Sequence, residues 1–90
     1  MEYIYRLHAI ERMFQRNISE QDIESVVDKG TVIESYSEDK PYPSFLALGH
    51  INNMALHVVY AIDEHRNIII ITTYYPDPKK WDRNFKIRKV

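Results

Sequence analysis

The sequence predicts an α+β domain: two N-terminal helices packed on a four-stranded antiparallel sheet, in the order α-α-β-β-β-β. Three observations predict it. Apolar residues recur at helical spacing up to Gly30. Beyond Gly30 the chain turns β-branched and aromatic. The four runs that follow are parted by short polar turns, which suits a meander with the helices on one face. Ninety residues, 44% of them hydrophobic, make one domain over 1–90 with a single small core.

The first helix is expected over Tyr5 to Arg16. On a wheel of about 100° per residue, Leu7, Ile10, Met13 and Phe14 share an arc of roughly 120° and read as its core-facing stripe. His8, Arg12 and Arg16, spaced by four, form a separate polar stripe with Glu11 and Gln15 beside it. Asn17-Ile18 breaks the helix. Ser19 with Asp22 approximates a capping box that starts a second helix, whose buried positions are Ile23, Val26 and Val27. Gly30 is expected to end it in the left-handed conformation.

Thr31–Tyr36 reads as the first strand and Ser37–Pro43 as a charged, proline-bearing loop. Ser44–Ile51 is the second strand, and Asn52-Asn53 a turn pair that tolerates positive φ. Met54–Ile62 is the third strand, Asp63–Arg66 a loop, and Asn67–Tyr75 the fourth strand, stopped by Pro76-Asp77-Pro78. Ile68 to Ile71 is too continuous for a strand with one wet face, so this strand should be central or covered on both sides. Lys79 to Val90 reads as a short helix or an extended tail.

With these turns, Ile62 pairs with Asn67, and His57 lies across from Thr72. The face of His57 then carries Tyr74, Ile70, Val59, Leu48 and His50. The opposite face carries Met54, Leu56, Val58, Tyr60, Ile69 and Ile71 and should receive the helices, leaving the His57 face partly open. A slip of one residue would exchange these faces.

Charge is unevenly spread. Ile18 to His65 holds nine acids against two bases, a net of −7; Arg66 to Val90 holds seven bases against two acids, a net of +5. If the tail meets the first helix, one side of the domain is basic and fits a phosphate backbone or an acidic protein segment. No cysteine is present, and the four histidines lack HxxxH and HExxH spacing, so neither a metal site nor a cofactor is expected. With no apolar run long enough to span a bilayer and no signal-peptide pattern, a cytoplasmic protein off the membrane is expected.

Two readings of the polar groups stand side by side. His8, Arg12, Arg16, His57, Thr72 and Tyr74 are the residue types that move protons and grip phosphate oxygens, with Lys79, Lys80, Arg83, Lys86, Arg88 and Lys89 to hold flanking RNA backbone. Equally, the helix stripe can be a solvated face, and His57 a core histidine bonded to Thr72. Tyr42, Tyr60, Tyr75 and Trp81 fit packing better than base stacking, and His65 is expected to be solvated. His8 and His57 can act together only if the first helix reaches the open face, and the register places the helices on the other one.

Several motifs recur in order: His8-Ala9-x-x-Arg12-Met13-x-x-Arg16-x-Ile18-Ser19, Gly30-x-Val32-Ile33-Glu34, Pro41-x-Pro43-Ser44-x-Leu46, Leu56-His57-Val58-Val59, and Ile71-Thr72-x-Tyr74-x-Pro76-Asp77-x-x-x-Trp81, ending in Phe85-x-x-Arg88-Lys89. Together they resemble domain-of-unknown-function family 4258, which is similar to the RelE/ParE and BrnT-like toxins. The resemblance implies a RelE-like fold and a toxin of a toxin–antitoxin system, acting as a metal-independent endoribonuclease and neutralised by a cognate antitoxin protein. The alternative is a non-catalytic module that holds an antitoxin-like partner or RNA on its basic side.

Overall fold

A computed structural model describes residues 1–90. The elements are β1 (Tyr3–Tyr5), α1 (Leu7–Arg16), α2 (Glu20–Lys29), β2 (Thr31–Tyr36), β3 (Ser44–Ile51), β4 (Met54–Ile62) and β5 (Ile68–Tyr74). They form one mixed sheet of five strands in the order β1-β5-β4-β3-β2. Both helices are present, so the α+β class stands. The count of four antiparallel strands is corrected by β1, which pairs parallel to β5 from Tyr3↔Ile68 to Tyr5↔Ile70. Tyr5 therefore belongs to a strand, and α1 begins two residues later than expected. Three residues are too few to show alternation, which is why β1 escapes a periodicity reading. Its addition makes β5 an interior strand, as the Ile68–Ile71 run required.

The helices are held as their termini require. Asn17 (φ 60°) ends α1 in the left-handed region, and its N–H donates to the Met13 carbonyl. The Ser19–Asp22 capping box is complete: Asp22 N–H donates to Ser19 Oγ and Ser19 N–H to Asp22 Oδ2, each at 3.0 Å. Gly30 differs from expectation, because its φ of −76° is open to any residue. Space is what selects glycine there: a Cβ would sit 2.5 Å from the Val26 and Leu48 carbonyl oxygens.

One face of the sheet carries the core. Ala9, Met13, Ile18, Ile23 and Val26 pack on Ala47, Leu56, Val58, Tyr60, Ile68 and Ile70. Leu56, Val58 and Tyr60 are where the sequence put them; Ile68 and Ile70 replace Ile69 and Ile71, and Met54 is exposed. The shift has a simple cause. The β4–β5 connection uses one residue more than expected, so Ile62 pairs with Ile68 rather than Asn67.

Helix α1 is rotated from its expected orientation. Ala9 is fully buried and Met13 nearly so, whereas Leu7, Ile10 and Phe14 are exposed by 71%, 49% and 90%. On the wheel this turns the buried face by roughly a quarter turn toward Arg12 and Arg16. The small Ala9 side chain lets α1 lie close on β5, its main neighbour.

Two β-bulges set the parity of the other face. Ile33 is an extra residue in β2, so Glu34 pairs with Leu46 and Tyr36 with Ser44. Ile71 is an extra residue in β5, so Thr72 pairs with Val59 and Tyr74 with His57. Without the bulges Glu34, Tyr36 and Tyr74 would point toward the helices.

At Gly49 α2 lies close on the sheet, since a Cβ there would lie 2.7 Å from Val26 Cγ2 and 3.3 Å from Val26 Cα. Gly49→Ala is expected to push α2 off β3 and lower stability by about 1–3 kcal/mol, read from the denaturant midpoint at unchanged slope.

Candidate functional site

The second face of the sheet is covered, contrary to the partly open surface expected. Residues after β5 fold back across it, forming neither a helix nor a free tail. They make two turns joined by a bridge between Trp81 and Arg88. Asp82 builds the second turn, accepting the N–H groups of Lys86 (3.0 Å) and Ile87 (3.3 Å). Those donors hold its carboxyl below the usual range. The turn places Phe85 at φ 60° with its carbonyl aimed at the sheet.

That carbonyl meets His57. Nε2 of His57 lies 2.8 Å from the Phe85 oxygen, and Nδ1 lies 3.3 Å from the Tyr74 hydroxyl. A carbonyl only accepts, so Nε2 carries the proton and Nδ1 of the neutral ring accepts from Tyr74. Trp81, itself buried, packs edge-on against the imidazole with centroids 4.6 Å apart. His57 has no exposed surface, and this burial depresses its pKa. Thr73, reaching in from the helix side, donates to the His57 carbonyl at 2.8 Å.

Arg88 closes the stack. Its guanidinium lies 4.6 Å from the Trp81 ring centroid and donates twice to Glu34, at 2.9 and 3.1 Å. Tyr36 donates to the same carboxylate. The Arg88 hydrogen bonds chiefly hold the Glu34 carboxyl below its ordinary range. The Arg88 side chain is 59% exposed, so the ion pair itself is worth no more than about 1 kcal/mol.

Beside this stack a pocket of 350 Å³ opens at the end of β5. It is lined by Arg16 from the last turn of α1, by Tyr74 and Tyr75, and by Lys80, Trp81 and Arg88 of the tail, with Asp77 at its edge. Glu34 and Asp77 offset two of its three cations. Burial raises the pKa of Tyr74, which keeps its hydroxyl protonated at neutral pH.

The candidate residues therefore divide. Arg16, Tyr74, Lys80 and Arg88 line one pocket, and His57 touches it through Tyr74. His8 is exposed on α1, across the sheet from His57. Arg12 is half-buried and donates to Gln15 at 2.9 Å. Thr72 shares the His57 face but pairs with Val59, so Tyr74 occupies the place the sequence assigned to it. Lys79, Arg83, Lys86 and Lys89 are exposed; Lys86 lines a different pocket with Lys29 and His50. His65 is solvated, 3.7 Å from Glu64.

Glu34, Tyr36 and Thr73 were missed, as was Phe85. The first three lie beyond a bulge that sets their face, and Phe85 contributes a backbone carbonyl that no side-chain pattern records. The structure holds no cluster of three or more metal-ligating side chains, and no helix is long and apolar enough to cross a membrane.

Fold and site together define a small α+β domain with helices on one face of a mixed sheet and a basic C-terminal strap on the other. Residues 5–75 match the family described as domain of unknown function DUF4258, so the chain belongs to that family. The strap, with Trp81, Phe85 and Arg88, lies beyond the matched residues. Comparisons with curated proteins and with solved structures give no match.

The depressed pKa of His57 makes stability depend on pH. Between that value and about 6.5, the ordinary value for histidine, the unfolded chain binds a proton that the fold refuses. Stability should be full above about pH 6.5 and fall as the pH drops through this window. Chemical denaturation from pH 7.5 to 5 measures it; His57→Gln should flatten the slope while lowering the plateau.

Proposed function

We propose that this domain is the toxin of a toxin–antitoxin pair and cleaves RNA without a metal, gripping a phosphodiester in the Arg16–Lys80–Arg88 pocket. The observation that carries this reading is Tyr74. It is the one residue that lines the pocket and also bonds to a neutral, buried histidine. The hydroxyl–imidazole–carbonyl series Tyr74, His57, Phe85 has the logic of an activated hydroxyl, with the Phe85 oxygen fixing the tautomer of the base. The similarity expected between this family and the RelE/ParE and BrnT-like toxins points to the same class, and a cognate antitoxin protein is the partner it implies.

In this mechanism Tyr74 takes the proton of a ribose 2′-OH as its own proton passes to Nδ1 of His57. The 2′-oxygen forms a bond to phosphorus, and the bond from phosphorus to the 5′-oxygen breaks. The Lys80 ammonium gives a proton to the leaving oxygen, while Arg16 and the free N–H groups of Arg88 stabilise charge on the phosphorane. The products are a 2′,3′-cyclic phosphate and a 5′-OH. His57 acts through Tyr74 and never meets the substrate, which reconciles its complete burial with a role in proton transfer.

A non-catalytic binding module is the second reading, favoured by that same burial: both ring nitrogens of His57 are already engaged by the protein.

An RNA oligonucleotide incubated with the protein in EDTA separates the two. Tyr74→Phe is expected to slow cleavage about 100-fold or more while binding of a 2′-deoxy oligonucleotide changes little. Arg16→Ala with Lys80→Ala should weaken binding and flatten its salt dependence by about 1.4 log units per log unit of salt, about 0.7 for each lost contact. Wild-type protein that binds the oligonucleotide and leaves it intact would decide for the binding module.

A further inference from the structure

We propose that the groove beside α1 is a docking site for an amphipathic helix of another protein, with apolar anchors on one face and lysines or arginines on its flanks. The proposal rests on surfaces remote from the Tyr74–His57 pair and stands whether or not RNA is cleaved.

Three observations carry it. First, the rotation of α1 leaves Leu7, Ile10 and Phe14 exposed by 71%, 49% and 90%. These lie at i, i+3 and i+7, the spacing at which one helix presents apolar contacts to another. Scattered surface leucines need no explanation, but three large side chains in line along one helix do. Second, the stripe borders a groove of 660 Å³ whose walls include Tyr5, Ile10, Met13, Phe14 and Ile18, with Glu20 at its edge. The groove and the stripe form one continuous apolar surface, of a size to take several side chains.

Third, acids outnumber bases around this surface: Glu11, Glu20 and Glu24 stand against Arg6, which lies between Tyr5 and Leu7. Burial chiefly raises the pKa of the Tyr5 hydroxyl in the groove lining, and the nearby carboxylates of Glu24 and Glu20 raise it further. Glu11 projects from the exposed side of α1 next to Leu7 on the wheel. The segment that supplies α2 is part of the stretch with net charge −7. Such a rim repels a nucleic acid and an acidic helix and favours a basic one. A second copy of this chain offers a poorer counterpart: its strap is not helical, and its α1 carries Glu11 beside Leu7 while Arg12 and Arg16 lie on the side of the buried Ala9.

The full chain can be titrated with two labelled synthetic helices that share one leucine face, one flanked by lysines and one by glutamates, and binding read by fluorescence anisotropy. The lysine peptide is expected to bind at least tenfold tighter. Phe14→Ser and Ile10→Ser, both at exposed positions and checked for an unchanged melting temperature, should each cost about tenfold. Glu20→Lys with Glu24→Lys should abolish the preference. Equal binding of both peptides, or no binding of either, overturns the proposal, as does affinity indifferent to Phe14→Ser. Sedimentation equilibrium adds one more outcome: a dimer that Phe14→Ser dissolves would assign the groove to a second copy instead.

Discussion

The hydrogen bond between His57 and the Phe85 carbonyl is the constraint on which the second face of this domain depends. It joins the middle of β4 to a turn 28 residues further along the chain. Everything on that face is arranged about it. The Asp82 turn aims the carbonyl, Trp81 shields the ring, and Arg88 is laid over Trp81 and tied to Glu34. Remove the imidazole and a part-buried carbonyl loses its partner, at a cost of about 1–3 kcal/mol. The bond also dictates the tautomer, so that Nδ1 can only accept. One contact thus fastens the strap to the sheet and turns the bare nitrogen of the ring toward Tyr74, the arrangement on which the proposed chemistry rests.

The two bulges make this contact productive. Side-chain direction along a strand has a period of two, so one inserted residue turns everything beyond it to the opposite face. Ile71 brings Tyr74 beside His57, and Ile33 brings Glu34 and Tyr36 within reach of the strap. Bulges gather where a side chain must be re-aimed. Here two of them, on strands separated by β3 and β4, supply the same face. The helix face has no such insertion in β3 and β4, and its packing is that of an ordinary small core.

Much of this was legible in the chain itself. The Ser19–Asp22 capping box, the Asn52-Asn53 turn with φ of 51° and 68°, and the interior position of the Ile68–Ile71 run all follow from local chemistry. So does the inward face of β4. The orientation of α1 does not follow, because hydrophobic periodicity weighs Leu7 and Phe14 above Ala9, while packing against β5 rewards the small residue. Parity in β5 was off for a similar reason: neither the added loop residue nor the bulge at Ile71 leaves a mark on composition. The candidate site was legible in part. Of the side chains singled out by their chemistry, the structure brings Tyr74, Arg16, Lys80 and Arg88 to one pocket, with His57 behind Tyr74. Their arrangement rests on a backbone carbonyl, and His8, singled out by its imidazole, its stripe and its motif, lies on the other side of the sheet.

The most direct measurement of the central claim is the protonation state of the two His57 nitrogens at pH 7, from long-range ¹H–¹⁵N correlation on labelled protein. The expected result is a neutral ring with the proton on Nε2 and a bare Nδ1, the pattern imposed by Phe85 and Tyr74. A ring carrying its proton on Nδ1, or a cationic ring carrying both, would contradict the account, because Tyr74 would then have no base to receive its proton.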